Sequence, residues 1–281
     1  MVLDVLAALA AAVAYGVAAV LQAVAARRVE ATPGVDPTLL LRLLRRPAFV
    51  VALVLNVVGY ALHLLALRSL PLFLVQAAIA ASVAVTAVLS RPVLGTVLSG
   101  RDRLAVVSTA VGLMVVTASS GGTTAGTLGS GGRWLLVAGA VGVCLVGFLA
   151  GRLSGRTGAA LLGAVAGFGY AVVGVGSRVL PELSPGALVT DPAAYAVVGS
   201  GTVAFLLYAT ALQRGEIMTA TGPMVVVQTV MPSFVGVTLL ADVVRSGWGV
   251  PALVGLALAI WGAVQLGRSG AGLSAYTSRV G

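Results

Sequence analysis

The sequence predicts an all-α polytopic membrane protein with about nine transmembrane helices. Composition points there first. Of 281 residues, 59% are hydrophobic and only 9% charged, against roughly 25% charged in a soluble domain; the mean hydropathy is +1.09. The second observation is length. The apolar runs are each about 17–25 residues long, enough to cross a hydrocarbon core. The third is the placement of charge. All 17 basic residues are arginines and give a net charge of +9, but they sit in short gaps between apolar runs. A nucleic-acid-binding surface would gather them on one polar face; here they read as topology signals.

The spans fall at about 2–26, 48–67, 70–89, 103–119, 134–150, 157–179, 193–213, 218–241 and 249–267. Turn chemistry separates them: Thr32-Pro33-Gly34, Arg46-Pro47, the tract from Ser119 to Gly132, Pro181 and Ser184-Pro185-Gly186. The first span is read as a retained helix. Asp4 precedes its apolar run and Arg27 and Arg28 follow it, the reverse of a secretory signal. Residues 38–45 are too short to span and suit a basic amphipathic turn or two in the interface.

Nine spans divide the arginines unequally. One side receives Arg27, Arg28, Arg42, Arg45, Arg46, Arg91, Arg101, Arg103, Arg152, Arg156, Arg214, Arg268 and Arg279; the other receives Arg68, Arg133, Arg178 and Arg245. Thirteen against four puts the N-terminus outside and the C-terminus in the cytoplasm of a plasma (inner) membrane. A tenth span at 38–45 would scatter the first cluster.

The chain also repeats itself. Tyr60-Ala-Leu-His63 through Leu67 aligns with Phe205-Leu-Leu-Tyr208 through Leu212 at an offset of 145. Val75–Ser90 and Ala220–Val235 follow in register, and Ala110-Val-Gly-Leu113 meets Leu253-Val-Gly-Leu256. In the first helix, Tyr15, Ala19 and Gln22 match Tyr170, Gly174 and Ser177 at an offset of 155. The result is four helices (1–119), a linker with one connecting helix (120–156), and four more helices with a short tail (157–281). One odd helix inverts the second set relative to the first, as in many secondary transporters.

These elements resemble the drug/metabolite transporter superfamily. The likeness is carried by Ala66-Leu-Arg-Ser-Leu-Pro71-Leu-Phe-Leu-Val-Gln76, the loop with Asp102, and Leu113-Met-Val-Val. Ala211-Leu-Gln-Arg-Gly-Glu216, a helix with Pro232 and a loop with Asp242 carry it in the second half. The four-one-four arrangement is most similar to the NIPA-like branch, described as magnesium transporters, and to uncharacterised bacterial members with an EamA-like architecture. The resemblance implies a non-ATP carrier of a small solute working by alternating access. The usual Gly-Glu at the end of the fourth helix is missing, and one helix per half is absent relative to the five-plus-five form.

Intramembrane polar residues are the candidate substrate-binding groups. Asn56, Gly59, Tyr60 and His63 share one face of the second span. Tyr15 and Tyr170 are repeat-related at mid-depth, and Gln76 is a further candidate. In 218–241, Pro223 and Pro232 bracket Gln228 and Thr229 as hinge or kink positions, because each proline frees a backbone carbonyl. Gln22, Thr202 and Ser177 are weaker candidates. The glycines from Gly163 to Gly176 read as a close-packing surface. All eight carboxylates fall at helix ends or in loops, which argues against a proton relay at the midplane and a dehydrated magnesium site. His63 is the only histidine and Cys144 the only cysteine, so no His/Cys metal site is expected. Nor do the residues suggest a cofactor or catalytic acid–base pair. The implied partners are the lipid bilayer and a small molecule or ion. Nucleic acid is excluded, and a homodimer stays open. A non-transporting membrane scaffold or partner protein is the alternative from another class, and a Mg2+ or other cation transporter of the NIPA type, holding a hydrated ion through amides and carbonyls, is the other alternative.

Overall fold

The computed structural model describes residues 2–30, 34–67, 82–94, 99–119, 121, 128–180, 185–239 and 244–268. Among them are eleven helices and no strand: α1 (Val2–Arg27), α2 (Leu39–Leu44), α3 (Pro47–Leu67), α4 (Ser82–Leu94), α5 (Gly100–Ala118), α6 (Ser130–Ala150), α7 (Gly155–Val179), α8 (Pro185–Thr190), α9 (Pro192–Arg214), α10 (Ile217–Leu239) and α11 (Gly249–Arg268). Among the described residues, four stretches are long and apolar enough to cross a membrane: Leu6–Arg27, Ser130–Ala150, Gly155–Ser177 and Pro192–Arg214. The protein is therefore a helical membrane protein.

Its helices are lined the way lipid demands. On α1 the buried residues are small: Ala8, Ala11, Ala12, Ala18 and Ala23. The exposed ones are large: Leu3, Leu6, Leu9 and Val13. In water this would be inverted. Among acyl chains, large apolar side chains lose nothing by facing outward, and small residues let helix backbones approach. Glycines do the same elsewhere. A Cβ on Gly163 would strike the Ala220 carbonyl, one on Gly167 the Met224 carbonyl, and one on Gly169 the Ala204 side chain. These seat α7 against α10 and α9. Gly112 and Gly255 bring the backbones of α5 and α11 into contact. Gly163→Ala is expected to cost about 1–3 kcal/mol through overpacking, read as a lower thermal midpoint in detergent. An unchanged midpoint would mean that this crossing yields freely.

Helix ends follow local chemistry. Asp191 caps α9 by accepting from Ala193 N at 2.9 Å, and Pro192 occupies the first turn. Asp4 and Arg27 oppose the dipole of α1 at its two ends. One boundary departs from the sequence reading. α4 runs past position 89 and through Pro92 to Leu94. The proline frees only the Val88 carbonyl, in the exposed last turns of the helix, where Val88 itself is 70% exposed.

The helices pair in two similar sets. α1 packs on α3 and α4; α7 packs on α9 and α10. The last helices of the two sets, α5 and α11, pack on each other. α6 lies at the periphery against α9 and α7, with Trp134, Leu135, Leu145 and Leu149 exposed.

The two ends of the bundle differ. At the arginine-rich end, the largest core joins Val20, Ala23 and Ala26 of α1 to Leu39 and Leu43 of α2, Phe49 of α3, Leu207 and Leu212 of α9 and Ile217 of α10. Arg214 Nη1 donates to the carbonyls of Gly151 (2.7 Å) and Leu153 (2.9 Å), and Nη2 donates to that of Gly34. Gln213 Nε2 reaches the Val29 carbonyl at 3.2 Å. Asp36 accepts from the Thr38 amide and hydroxyl, both at 2.8 Å, and pairs with Arg42. The Thr38 hydrogen bonds first, then Arg42, hold its carboxyl below the usual carboxylate range. At the opposite end a smaller core forms from Leu136, Val175, Val179, Ala193 and Ala196. Arg133 pairs with Asp191 there, and Arg245 N donates to the Ser119 carbonyl at 2.9 Å.

Candidate functional site

The candidate residues separate into two clusters and one helix. In the first cluster, Tyr15 of α1 lies beneath α3, its ring edge 3.1–3.3 Å from where a Gly59 Cβ would stand. Glycine at 59 is what lets the ring approach. The rings of Tyr60 and His63 are 6.3 Å apart and tilted by 53°. Tyr60 is half exposed, while Tyr15 and His63 are half-buried. Ala52, Asn56, Gly59, His63 and Ala66 recur at alternating spacings of four and three, one stripe of a helix. Its buried members are Ala52, Gly59 and Ala66. Asn56 Nδ2 donates to the Ala52 carbonyl of its own helix at 2.9 Å, which leaves its amide oxygen for another donor.

The second cluster joins three helices. Tyr170 of α7 is half-buried and packs against the core that holds Tyr208 of α9. Tyr208 Oη and Thr221 Oγ1 of α10 share a hydrogen bond of 2.7 Å. Both are almost fully buried, at 3% and 2% exposure. Ser200 Oγ donates to the Gly169 carbonyl at 3.0 Å, tying α9 to α7 nearby. Sequence reasoning left Tyr208 and Thr221 out of the candidates. The signal was present: the offset of 145 carries His63 onto Tyr208 and Gln76 onto Thr221. Gln76 itself lies outside the described residues.

No family model, curated protein or solved structure matches the chain. What the residues can do follows from the geometry of the site itself.

That geometry centres on α10. From Ile217 to Val226 the helix is buried at every position except the half-buried Pro223. From Val227 to Pro232 all six positions are half-buried. Six consecutive residues pass more than once round a helix, so this stretch has incomplete cover on every side. Gln228 and Thr229 lie in it. Thr229 Oγ1 donates back to the Val225 carbonyl at 2.8 Å. α10 runs unbroken through Pro223 and Pro232. The prolines act without unwinding it: Pro232 cannot donate to the Gln228 carbonyl, nor Pro223 to that of Thr219. The Gln228 side-chain amide and main-chain oxygen thus both occupy the loosely covered half.

Phenol, hydroxyl and amide groups dominate these residues. Among the described residues, no three His, Cys, Asp or Glu side chains converge as a metal site. The described carboxylates, Asp4, Glu30, Asp36, Asp102, Asp191 and Glu216, sit at helix ends or in loops. Gln22 of α1 is 4% exposed, and its Oε1 has no hydrogen-bond partner among the described residues. Such groups can bind a solute through neutral hydrogen bonds and aromatic faces.

Proposed function

We propose that the chain is a secondary, non-ATP carrier of a small solute, of the drug/metabolite transporter type, working by alternating access. The observation that carries this reading is the contrast along α10. One half is sealed in the core of the arginine-rich end. The other half, with Gln228, Thr229 and the carbonyl freed by Pro232, is partly uncovered on all sides. Apolar side chains would lose nothing by facing lipid there, but an amide, a hydroxyl and a freed carbonyl would.

The proposal includes nine spans and inverted four-helix repeats over 1–119 and 157–281, joined through 120–156. The matched pairing of α1 with α3 and α4, and of α7 with α9 and α10, supports it. So does the meeting of α5 and α11, the fourth helices, at Gly112 and Gly255. Segregation of Arg28, Arg42, Arg46 and Arg214 from Arg133 and Arg245 supports an arrangement with the arginine-rich end in the cytoplasm of the plasma membrane. On that orientation the described conformation is closed inward and loosened outward. The substrate-binding residues of the proposal are Tyr15, Asn56, Tyr60, His63, Gln76, Tyr170, Gln228 and Thr229, with Tyr208 and Thr221 added.

Water access tests it. In a Cys144→Ala background, single cysteines replace Asn56, His63, Gln228 and Thr229. A membrane-impermeant thiol reagent is then applied from each side. Gln228→Cys and Thr229→Cys are expected to label at mid-depth from the side opposite the arginine-rich end. Protection of all four in folded protein would sink the carrier reading and favour a non-transporting membrane partner whose polar groups are satisfied in dry packing.

A further inference from the structure

At the arginine-rich end, the close of α1, the short helix α2 and the start of α3 form one surface. Arg27, Arg28, Arg45 and Arg46 are all exposed on it. Arg46 Nη2 donates to the Arg28 carbonyl at 3.1 Å, which holds these two arginines side by side. Arg42 is occupied by Asp36. The other four have no carboxylate partner among the described residues.

α2 supplies what a purely electrostatic patch lacks. Its Leu39 and Leu43 are 1% and 0% exposed, whereas Leu41 and Leu44 are 66% and 46% exposed. On a helical wheel the exposed pair lies opposite the buried pair, with Arg45 alongside. Exposed leucines beside unpaired guanidinium groups, at the end of a membrane-spanning bundle, match both parts of a lipid: acyl chain for the leucines, headgroup phosphate for the arginines. Guanidinium forks suit phosphate oxygens in particular.

We propose that α2 and these four arginines bind an anionic phospholipid through its glycerol-phosphate headgroup. The chains would lie along Leu41 and Leu44. α2 packs with its other face on α3 and α9, so a lipid held there would brace the joint that closes this end of the bundle. Charge topology alone explains arginines anywhere at this end; it does not explain a preference for this surface over the exposed Arg101 and Arg103 at the start of α5.

The test uses the purified, delipidated full chain. Lipid retention is read by native mass spectrometry and stability by the thermal midpoint, with phosphatidylglycerol, phosphatidylcholine or soluble glycerol phosphate added. Phosphatidylglycerol is expected to raise the midpoint and be retained about tenfold over phosphatidylcholine, as expected when more than one arginine contacts the phosphate. Arg28→Gln with Arg46→Gln should abolish that preference. Arg101→Gln with Arg103→Gln, the same loss of charge, should preserve it. Should the first pair fail to fold, Leu41→Ser with Leu44→Ser leaves the arginines intact and should still reduce retention. Equal retention of both lipids, equal stabilisation by glycerol phosphate, or equal loss in the Arg101 and Arg103 pair would each overturn the assignment.

Discussion

Arg214→Ala is expected to destabilise the protein by about 2–4 kcal/mol and to loosen its arginine-rich end. Arg214 closes α9 and donates to the carbonyls of Gly34, Gly151 and Leu153. These belong to two loops far apart in the chain, one after α1 and one after α6. A planar guanidinium with five fixed donors can serve three acceptors at once; an ammonium cannot hold the same geometry. Charge-assisted bonds contribute about 1.5–3 kcal/mol each, but Arg214 is half-exposed and water replaces part of the loss, hence the lower total. Arg214→Lys should fall between wild type and alanine. The Gln213 bond to Val29 remains in both variants. The seal can be read directly at Ala26, which is 1% exposed in the adjoining core. In a Cys144→Ala background, Ala26→Cys should be protected from thiol reagents, and should label several-fold faster once Arg214 is alanine. A variant that melts like wild type and keeps position 26 protected would show that apolar packing alone closes this end.

Much of this architecture was legible because lipid imposes simple rules. Apolar runs of spanning length gave the helices at 2–26, 134–150, 157–179 and 193–213 within a few residues of α1, α6, α7 and α9. Glycine spacing in 157–179 announced the α7 crossings, since a backbone contact with Ala220 or Met224 admits little else. What a linear pattern could not reveal was which residues meet across helices. Residues 38–45 read as a basic amphipathic turn or two in the interface; nothing local shows that the apolar face, with Leu39 and Leu43 of α2, would be buried against α3 and α9. Arg214 looked like one more topology charge, and its three carbonyl partners are distant in sequence. Asn56 and Thr229 were chosen for polarity, yet each also bonds back to its own helix, a satisfaction invisible to composition. The Pro223 and Pro232 pair suggested a hinge or kink; the helix continues through both positions, because losing an N–H does not require losing helical dihedrals.

Tyr208 is the clearest residue to test under the proposed repeat. Alone it is an ordinary buried tyrosine. Its hydroxyl joins α9 to α10 through Thr221 at 2.7 Å, and the chain offsets of 155 and 145 relate Tyr170, Tyr208 and Thr221 to Tyr15, His63 and Gln76. On the carrier reading this joint must re-form as the repeats exchange roles. Tyr208→Phe is therefore expected to slow exchange between the two access states about tenfold, equivalent to about 1.4 kcal/mol, while costing about 1–3 kcal/mol of stability by leaving a buried hydroxyl unpaired. Thr221→Val breaks the same bond from the other side. Removing both partners eliminates the unpaired group, so the double variant should be more stable than the sum of the single losses predicts, with a coupling of about 0.5–3 kcal/mol. Exchange can be followed without a known solute, by spin-label distances between the ends of α3 and α10. Coupling in stability with wild-type exchange would leave the bond a fastener of α9 to α10 and take Tyr208 out of the mechanism. Slow exchange in both single variants, without full recovery in the double, would mean the hydroxyls themselves are used during the transition.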